Sequence, residues 1–306
     1  MDIGIVGLGR MGGNMARRLA RGGVRVVGFD PDASVRRSLA QEGVLEAADT
    51  SVALVKALAA PRVVWLMVPA GATTELVVQD VWPEMSRGDV LVDGGNANYK
   101  DSQRRAAALE SAGIAFVDCG VSGGVWGLEN GYALMFGGSP AAARAVAPYA
   151  QILAPARDRG WLHCGPAGSG HFAKMIHNGI EYGMMQAMAE GFALLQGKKE
   201  FALDLAAIAE TWRHGSVVRS WLLDLTAEFL AADASLDGIA PIVADSGEGR
   251  WTVNEAIEQG TAAPVLALAL MSRFDSQGKA DFAHRMLAMM RKGFGGHAVQ
   301  PGGNAT

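Results

Sequence analysis

The chain has 306 residues, half of them hydrophobic and only 19% charged, which supports a large core and excludes wholesale disorder. At about 100–200 residues per domain the length favours two domains, or one large one. Twenty-seven Lys and Arg against 31 Asp and Glu leave a net charge of −4, which argues against a general nucleic-acid binder, and two cysteines are too few for a disulfide framework.

Cys119 and Cys164 fit a reducing compartment, so a cytoplasmic location is expected. No basic run precedes the first apolar segment, so no signal peptide is expected. The apolar run at 265–271 is far short of the roughly 20 residues that span a bilayer, so no membrane partner is expected. Candidate strands lie at residues 3–6, 24–29, 63–68, 90–93 and 115–118. Each is apolar nearly throughout rather than alternating, as in strands buried on both faces of a parallel sheet. Helical stretches such as 11–21 and 101–111 separate them, which predicts a doubly wound α/β sheet with right-handed crossovers. A run at 132–136 would add edge strands. Beyond about Gly165 the strand signal nearly vanishes. Stretches rich in Ala, Leu and Met at 172–196, 201–212 and 280–290 predict an all-helical second domain. The expected organisation is a first domain at 1–165, a helical domain at 166–297 entered through the glycine-rich segment 165–170, and a flexible tail at 298–306.

Gly7-Leu8-Gly9-Arg10-Met11-Gly12 fits the dinucleotide fingerprint. With 40 glycines in 306 residues, that spacing arises by chance roughly 0.7 times, and the looser form also matches 168–173, so context decides. Only the first copy is expected to follow a buried strand directly and open a helix. There Gly7 permits the tight turn, Gly9 lets the backbone approach a pyrophosphate, and Gly12 lets helix and strand pack closely. The helix N-terminus, through Leu8, Arg10 and Met11, offers free N–H groups to phosphates. The first domain is therefore expected to be Rossmann-type. Asp30, at the end of the second strand, can accept hydrogen bonds from adenosine ribose hydroxyls and would repel a 2′-phosphate, which favours NAD over NADP. Arg36 and Arg37, further along, would weaken that preference. An N-cap before Pro31 is the structural alternative for Asp30. The loop after Val68 lies at a strand's carboxyl end, where cofactors lie.

The most informative stretch runs from Gly168 to Tyr182. On a helix, Lys174, His177, Asn178 and Glu181 fall at i, i+3, i+4 and i+7, which is one face. An amine, an imidazole, an amide and a carboxylate are thus gathered on a largely apolar helix. Their proton chemistry suits a hydroxyl oxidation coupled to a second proton step.

This segment resembles the catalytic helix of the decarboxylating 6-phosphogluconate dehydrogenases. Other pieces agree in order: Gly7 to Gly12; Asp93-Gly-Gly-Asn96 with Tyr99, Asp101, Arg104 and Arg105; Ser122-Gly123-Gly124; Arg250-Trp251-Thr252; Arg273; and a tail with Arg291, Phe294 and His297. Lys174 and Asn178 are shared with the wider β-hydroxyacid dehydrogenases, whereas His177, Glu181 and Tyr182 point to the decarboxylating branch. The length resembles the short, NAD-linked form.

The resemblance implies that Lys174 takes the proton of the substrate 3-hydroxyl while hydride passes to the nicotinamide, and then polarises the ketone as CO2 leaves. It implies that Glu181 protonates the enediol to give ribulose 5-phosphate, with no metal. His177 and Asn178 would orient the hydroxyl, Ser122, Gly123 and Gly124 would hold the carboxylate, and Asn96 would lie near nicotinamide and substrate. Arg273 and Tyr182 would take the phosphate. Ser246 and Glu248 stand where the long form has Lys and Thr, and Glu248 is expected to turn away from the phosphate or pair with Arg250. Arg291 and His297 would enter a partner subunit's site, making the active unit a homodimer or homotetramer. Two other readings remain open at this point: a non-decarboxylating NAD-dependent β-hydroxyacid dehydrogenase for a small unphosphorylated acid, and a catalytically inactive nucleotide-binding module.

Overall fold

Strand residues such as Ile3, Ile5, Val64, Leu66, Leu91 and Val117 are completely shielded from solvent, because helices cover both faces of the sheet they build. In the computed structural model, which describes residues 1–295 and 298–300, the first half alternates strand and helix. The order is β1 (Asp2–Val6), α1 (Arg10–Arg21), β2 (Arg25–Phe29), α2 (Ala33–Gln41), β3 (Glu46–Ala47), α3 (Ser51–Lys56), β4 (Val63–Leu66), α4 (Ala72–Val81), β5 (Val90–Asp93), α5 (Tyr99–Glu110), β6 (Ala115–Ser122), α6 (Gly127–Asn130), β7 (Ala133–Gly137), α7 (Pro140–Leu153) and β8 (Trp161–Gly165). The strands form one sheet in the order β3-β2-β1-β4-β5-β6-β7-β8. β1 pairs in parallel with both β2 and β4. The strand order therefore reverses beside β1, and the crevice at the carboxyl ends there is where a doubly wound sheet takes a ligand. Two apolar layers flank the sheet. One includes Ile3, Ile5, Met15, Trp65 and Phe136, the other Val6, Leu54, Val64, Leu66 and Phe116.

The run at 132–136 becomes β7, which is interior rather than an edge: it pairs antiparallel with β6 and carries β8 in parallel on its other side. β8 is the edge at that end of the sheet, as β3 is at the other. It is half-buried without clean alternation, with Leu162 62% exposed, and is held by rings: Phe136 stacks on Trp161 and His163 at 6.1 and 5.8 Å.

Helix α8 (Ser169–Gly197) has 29 residues. Two compact units meet within it, Met1–His177 and a second from Asn178 onward. In the second unit follow α9 (Leu205–Arg213), α10 (Trp221–Ala232), α11 (Glu248–Gln259), α12 (Pro264–Ser276) and α13 (Asp281–Gly295), with no strand among the described residues. The helix expected at 201–212 begins at Leu205 because the Asp204 carboxylate caps it by accepting from Ala207 N. Leu205, Ala209, Leu223, Ala227 and Leu230 form the core of this unit, joined by Phe192 and Trp212. Among the described residues no helix is long and apolar enough to cross a membrane. His297 and the tail residues 301–306 lie outside the described residues.

Candidate active site

The glycine turn after β1 is sterically obligatory. Gly7 has φ +92°, and a Cβ there would lie 2.5 Å from Met67 O; a Cβ on Gly12 would lie 1.9 Å from Gly7 O. No side chain fits at either position. A Cβ on Gly9 would meet nothing within 4 Å, and Gly9 caps α1 without any side-chain hydrogen bond or first-turn acid. The helix thus presents bare N–H groups over open space, the arrangement a pyrophosphate requires. Asp30 Oδ2 accepts from Leu8 N at 2.8 Å, and Oδ1 from Asp32 N at 2.9 Å, so the Leu8 N–H, expected to be free for a phosphate, is instead taken by Asp30. The N-cap of α2 is Asp32, not Asp30, so Asp30 is tied to the glycine turn. Arg36 is bound locally, donating to Asp30 O at 2.7 Å and lying 5.7 Å from the Phe29 ring. Arg37 is exposed. The chain's own groups therefore fit a dinucleotide with free ribose hydroxyls.

Val68 adjoins this turn, and Gly95, next to Asn96 in the chain, adjoins Val68. Val68 Cγ1 sits 3.0 Å from where a Gly7 Cβ would be, and Val68 O 2.6 Å from that of Gly95. Asn96 adopts φ +48° and pairs both ways with the Val121 backbone: Val121 N donates to Oδ1 at 3.0 Å and Nδ2 donates to Val121 O at 3.3 Å. That tie fixes the loop after β5 against β6. Below it, buried Arg105 joins Asp93 at 2.8 Å and Glu75 at 2.7 Å.

The second glycine motif also opens a helix, α8, but its N-terminus is already filled. Asp118, fully buried on β6, accepts from Gly168 N at 2.6 Å and His171 N at 2.7 Å. Burial pushes its carboxyl above the ordinary range, despite those two donors and nearby His171. A carboxylate of the chain itself occupies the place a phosphate would take, which distinguishes this copy from the first. Gly170 and Gly120 then let α8 lie flat on the sheet. A Cβ on Gly170 would meet Asp118 O at 2.5 Å, and one on Gly120 would meet Lys174 Cβ at 2.2 Å.

Lys174 is consequently 5% exposed. Its Nζ lies 3.3 Å from His177 Nδ1, and His177 Nε2 lies 3.5 Å from Ser122 Oγ. Amine, imidazole and hydroxyl form a chain that can pass a proton along: an ammonium donates to Nδ1, while a neutral amine accepts from Nδ1–H. Ser122 ends β6, and Gly123 (φ +137°) and Gly124 (φ +54°) follow in backbone conformations only glycine takes readily.

Within the second unit, Asn178 Nδ2 donates to Glu248 Oε1 at 3.3 Å, Ser246 Oγ donates to Glu248 Oε2 at 2.5 Å, and Ser246 meets the Tyr182 hydroxyl at 2.8 Å. Arg273 lies over the Tyr182 ring at 3.8 Å and donates to Ala244 O at 2.8 Å. Burial raises the Tyr182 phenol. Asp245 behaves oppositely: burial pushes it up, but its bond to Arg250, the Gly247 N–H and the charges of Arg250 and Lys279 together outweigh that and hold it low. The expected Glu248–Arg250 pairing therefore does not form. Arg250 is taken by Asp245, and Glu248 is held by Ser246 and Asn178. Glu181 is half-buried and Arg291 exposed. Asp118, Gly120 and Glu248's contact with Asn178 escaped the sequence reading. Asp118 alone carried a signal, as an acid within the largely apolar run of β6, which extends past it to Ser122.

A doubly wound sheet with a bare glycine turn at its switch point, continued into a helical unit, defines a nicotinamide-dependent dehydrogenase. Residues 2–160 match the model of the NAD binding domain of 6-phosphogluconate dehydrogenase, and residues 170–297 that of the 6-phosphogluconate dehydrogenase C-terminal domain. The chain belongs to the 6-phosphogluconate dehydrogenase family. It is 41% identical over 300 residues to the NAD(+)-dependent, decarboxylating 6-phosphogluconate dehydrogenase of Haloferax volcanii, covering 98% of both chains. It is 34% identical to a Bacillus subtilis enzyme of the same description, covering 91% of this chain and 62% of that longer one. A Plasmodium falciparum 6-phosphogluconate dehydrogenase structure superposes with a TM-score of 0.84 at 28% identity, covering 100% of this chain and 67% of that chain.

Proposed function

We infer that the chain is an NAD-dependent, decarboxylating 6-phosphogluconate dehydrogenase that converts 6-phospho-D-gluconate to D-ribulose 5-phosphate and CO2. The observation that carries this reading is the buried amine of Lys174, hydrogen-bonded to His177, on a helix whose same face continues through Asn178 to Glu181. Nicotinamide, when bound, supplies the acceptor for the hydride from C3.

Lys174 removes the proton of the 3-hydroxyl, with His177 sharing it through Nδ1. The resulting 3-keto acid loses CO2 as the C1–C2 bond breaks, and the electron pair moves into the ketone, whose oxygen takes a proton from Lys174. Glu181 protonates the enediol at the substrate's former C2, which becomes C1 of ribulose 5-phosphate. The carbonyl is the electron sink. Asn178 orients the hydroxyl; Ser122, Gly123 and Gly124 hold the carboxylate; Asn96 stands by nicotinamide and substrate; Arg273 and Tyr182 take the phosphate. Asp30 favours NAD over NADP because a second anion beside its carboxylate is repelled. The enzyme works as at least a homodimer in the cytoplasm. Support for the dimer comes from α13, which exposes Phe282, Leu287, Met289 and Met290, more apolar surface than a lone helix leaves to water. Arg291, on the same helix, reaches the partner's site.

A substrate panel tests the reading: 6-phosphogluconate, gluconate and 3-hydroxyisobutyrate, each with NAD and with NADP. 6-Phosphogluconate with NAD is expected to give the highest kcat/KM. A preference for 3-hydroxyisobutyrate would support instead a non-decarboxylating dehydrogenase.

A further inference from the structure

One guanidinium ties together the turns that follow β4 and β5. Arg105, 2% exposed on α5, donates through Nη1 to Asp93 Oδ2 at 2.8 Å, and through Nε and Nη2 to Glu75 Oε1 at 2.9 and 2.7 Å. Asp93 is fully buried at the end of β5, and its other oxygen accepts from Gly95 N at 3.0 Å. Glu75 lies in the first turn of α4, where its own N–H donates to Gly71 O at 3.1 Å and the Thr74 hydroxyl donates to Pro69 O at 3.0 Å. Arg105 thus grips the turn after β5 through one carboxylate and the turn after β4 through the other.

The turn after β5 needs such a grip. Gly94 and Gly95 must be glycine, because a Cβ would lie 2.4 Å from Trp65 Nε1 at the first and 2.6 Å from Val68 O at the second. Two glycines in a row give the backbone large conformational freedom. The far end of the turn is anchored by Asn96 on the Val121 backbone, the near end by Asp93 on Gly95 N. The near anchor holds only while the carboxylate is kept from rotating, and Arg105 does this with a planar fork that a lysine cannot copy. An ion pair this buried adds little net stability over apolar packing; what it adds is a fixed direction.

The two halves of a doubly wound sheet each take one mononucleotide. Asp30, at the end of β2, lies on the adenosine side of β1, and β4 and β5 lie on the other side, which leaves their turns to the nicotinamide. We propose that Arg105 is a positioning residue for the nicotinamide end of the cofactor: by bracing Asp93 against Glu75 it holds residues 94–96 in the shape that receives the ring. The proposal rests on the functional reading above, in which this crevice takes NAD and Asn96 stands by the nicotinamide.

The test compares NADH, which carries the nicotinamide, with ADP-ribose, which lacks it. Both are titrated calorimetrically into the parent chain, Glu75→Ala, Arg105→Lys and the Glu75→Ala/Arg105→Lys double variant. Glu75 is 31% exposed, so its removal leaves the buried Arg105–Asp93 pair in place, and Glu75→Ala decides alone should Arg105→Lys not fold. Each single variant is expected to weaken NADH about fivefold, as when the receptive turn is populated about one-fifth of the time, with ADP-ribose unchanged within about twofold. The double variant falls less than about twofold below either single, because both changes remove the same brace. In the cofactor-free chain, amide hydrogen exchange at residues 93–97 quickens in the variants while that at residues 7–12 does not. NADH and ADP-ribose weakening together, as a general loosening of the fold would produce, overturns the proposal. So does unchanged NADH affinity, or unchanged exchange at 93–97. A parent chain that binds NADH but does not turn over 6-phosphogluconate removes the decarboxylating reading and leaves this comparison in force; one that binds neither NADH nor ADP-ribose removes the proposal.

Discussion

Lys174 and Glu181 lie seven residues apart on one helix, so they share a face while sitting two turns apart. That separation suits a reaction with one proton transfer at the C3 oxygen and another at the neighbouring carbon. The two roles are separable by kinetics. Lys174→Met keeps the apolar stem but removes the base, and is expected to lower kcat by about 10²–10⁴, with NADH affinity by fluorescence titration unchanged because the glycine turn is untouched. Glu181→Gln should leave the first-turnover formation of NADH fast and slow the appearance of ribulose 5-phosphate. A rapid-quench measurement in which both steps slow by the same factor would remove Glu181 from the enediol protonation. His177 was legible as a member of the polar face, but its contact with Ser122 at 3.5 Å was not, because 55 residues separate them in sequence.

The first turns of α8 depend on β6. Asp118 caps the helix and Gly120 admits the stem of Lys174, so both set the amine's position from beneath. Gly120→Ala places a methyl 2.2 Å from Lys174 Cβ, a near atom that no rotamer change can move, and the helix must shift. A loss of about 10²-fold in kcat is expected, as for displacements of roughly 1 Å at reacting groups, with cofactor affinity kept. Asp118→Asn replaces an acceptor of two backbone N–H groups by an amide that accepts with one atom, a cost of about 1–3 kcal/mol. Its pH dependence has a definite sign. Burial holds the folded carboxyl above its unfolded value, so the native state binds the proton more tightly, and the stability from this group is present in acid and lost as pH rises through the folded pKa. The deficit of Asp118→Asn is therefore largest in acid and narrows as pH rises through the folded carboxyl's pKa. Urea midpoints at several pH values read this directly, and a deficit that widened with pH would contradict it. In the sequence Asp118 stood out as an acid in an apolar run, but its role was not visible, since a buried acid acquires its meaning only when another element is brought against it. The same holds for β8, whose half-exposed residues carry neither an apolar run nor alternation, and for Glu248, whose partner depended on the path of the loop before α11. What was legible followed from local rules: buried parallel strands read as apolar runs, and the glycines of the first turn fill positions where backbone atoms leave no space for a Cβ.

For the whole molecule, the change from alternating strand and helix to helix alone, near Gly165, marked the two architectures in the sequence. The division into compact units falls at His177 and Asn178, inside α8, so one helix belongs to both. Lys174 and His177 therefore rest on the sheet of the first unit, while Asn178 and Tyr182 are tied to the loop before α11 and to α12 in the second. The exposed apolar residues of α13 account for a share of the hydrophobic composition that folding of a single chain does not bury, and sedimentation at micromolar concentration should give twice the chain mass or more. The claim on which the account turns is that hydride removal and loss of CO2 are successive steps of one reaction directed by α8. The most direct measurement supplies 6-phosphogluconate labelled at its carboxyl carbon, with NAD, and counts both products. Labelled CO2 and NADH are predicted to form in equal amounts, with neither formed by Lys174→Met above about one-hundredth of the parent rate; NADH accumulating without labelled CO2 would contradict the account.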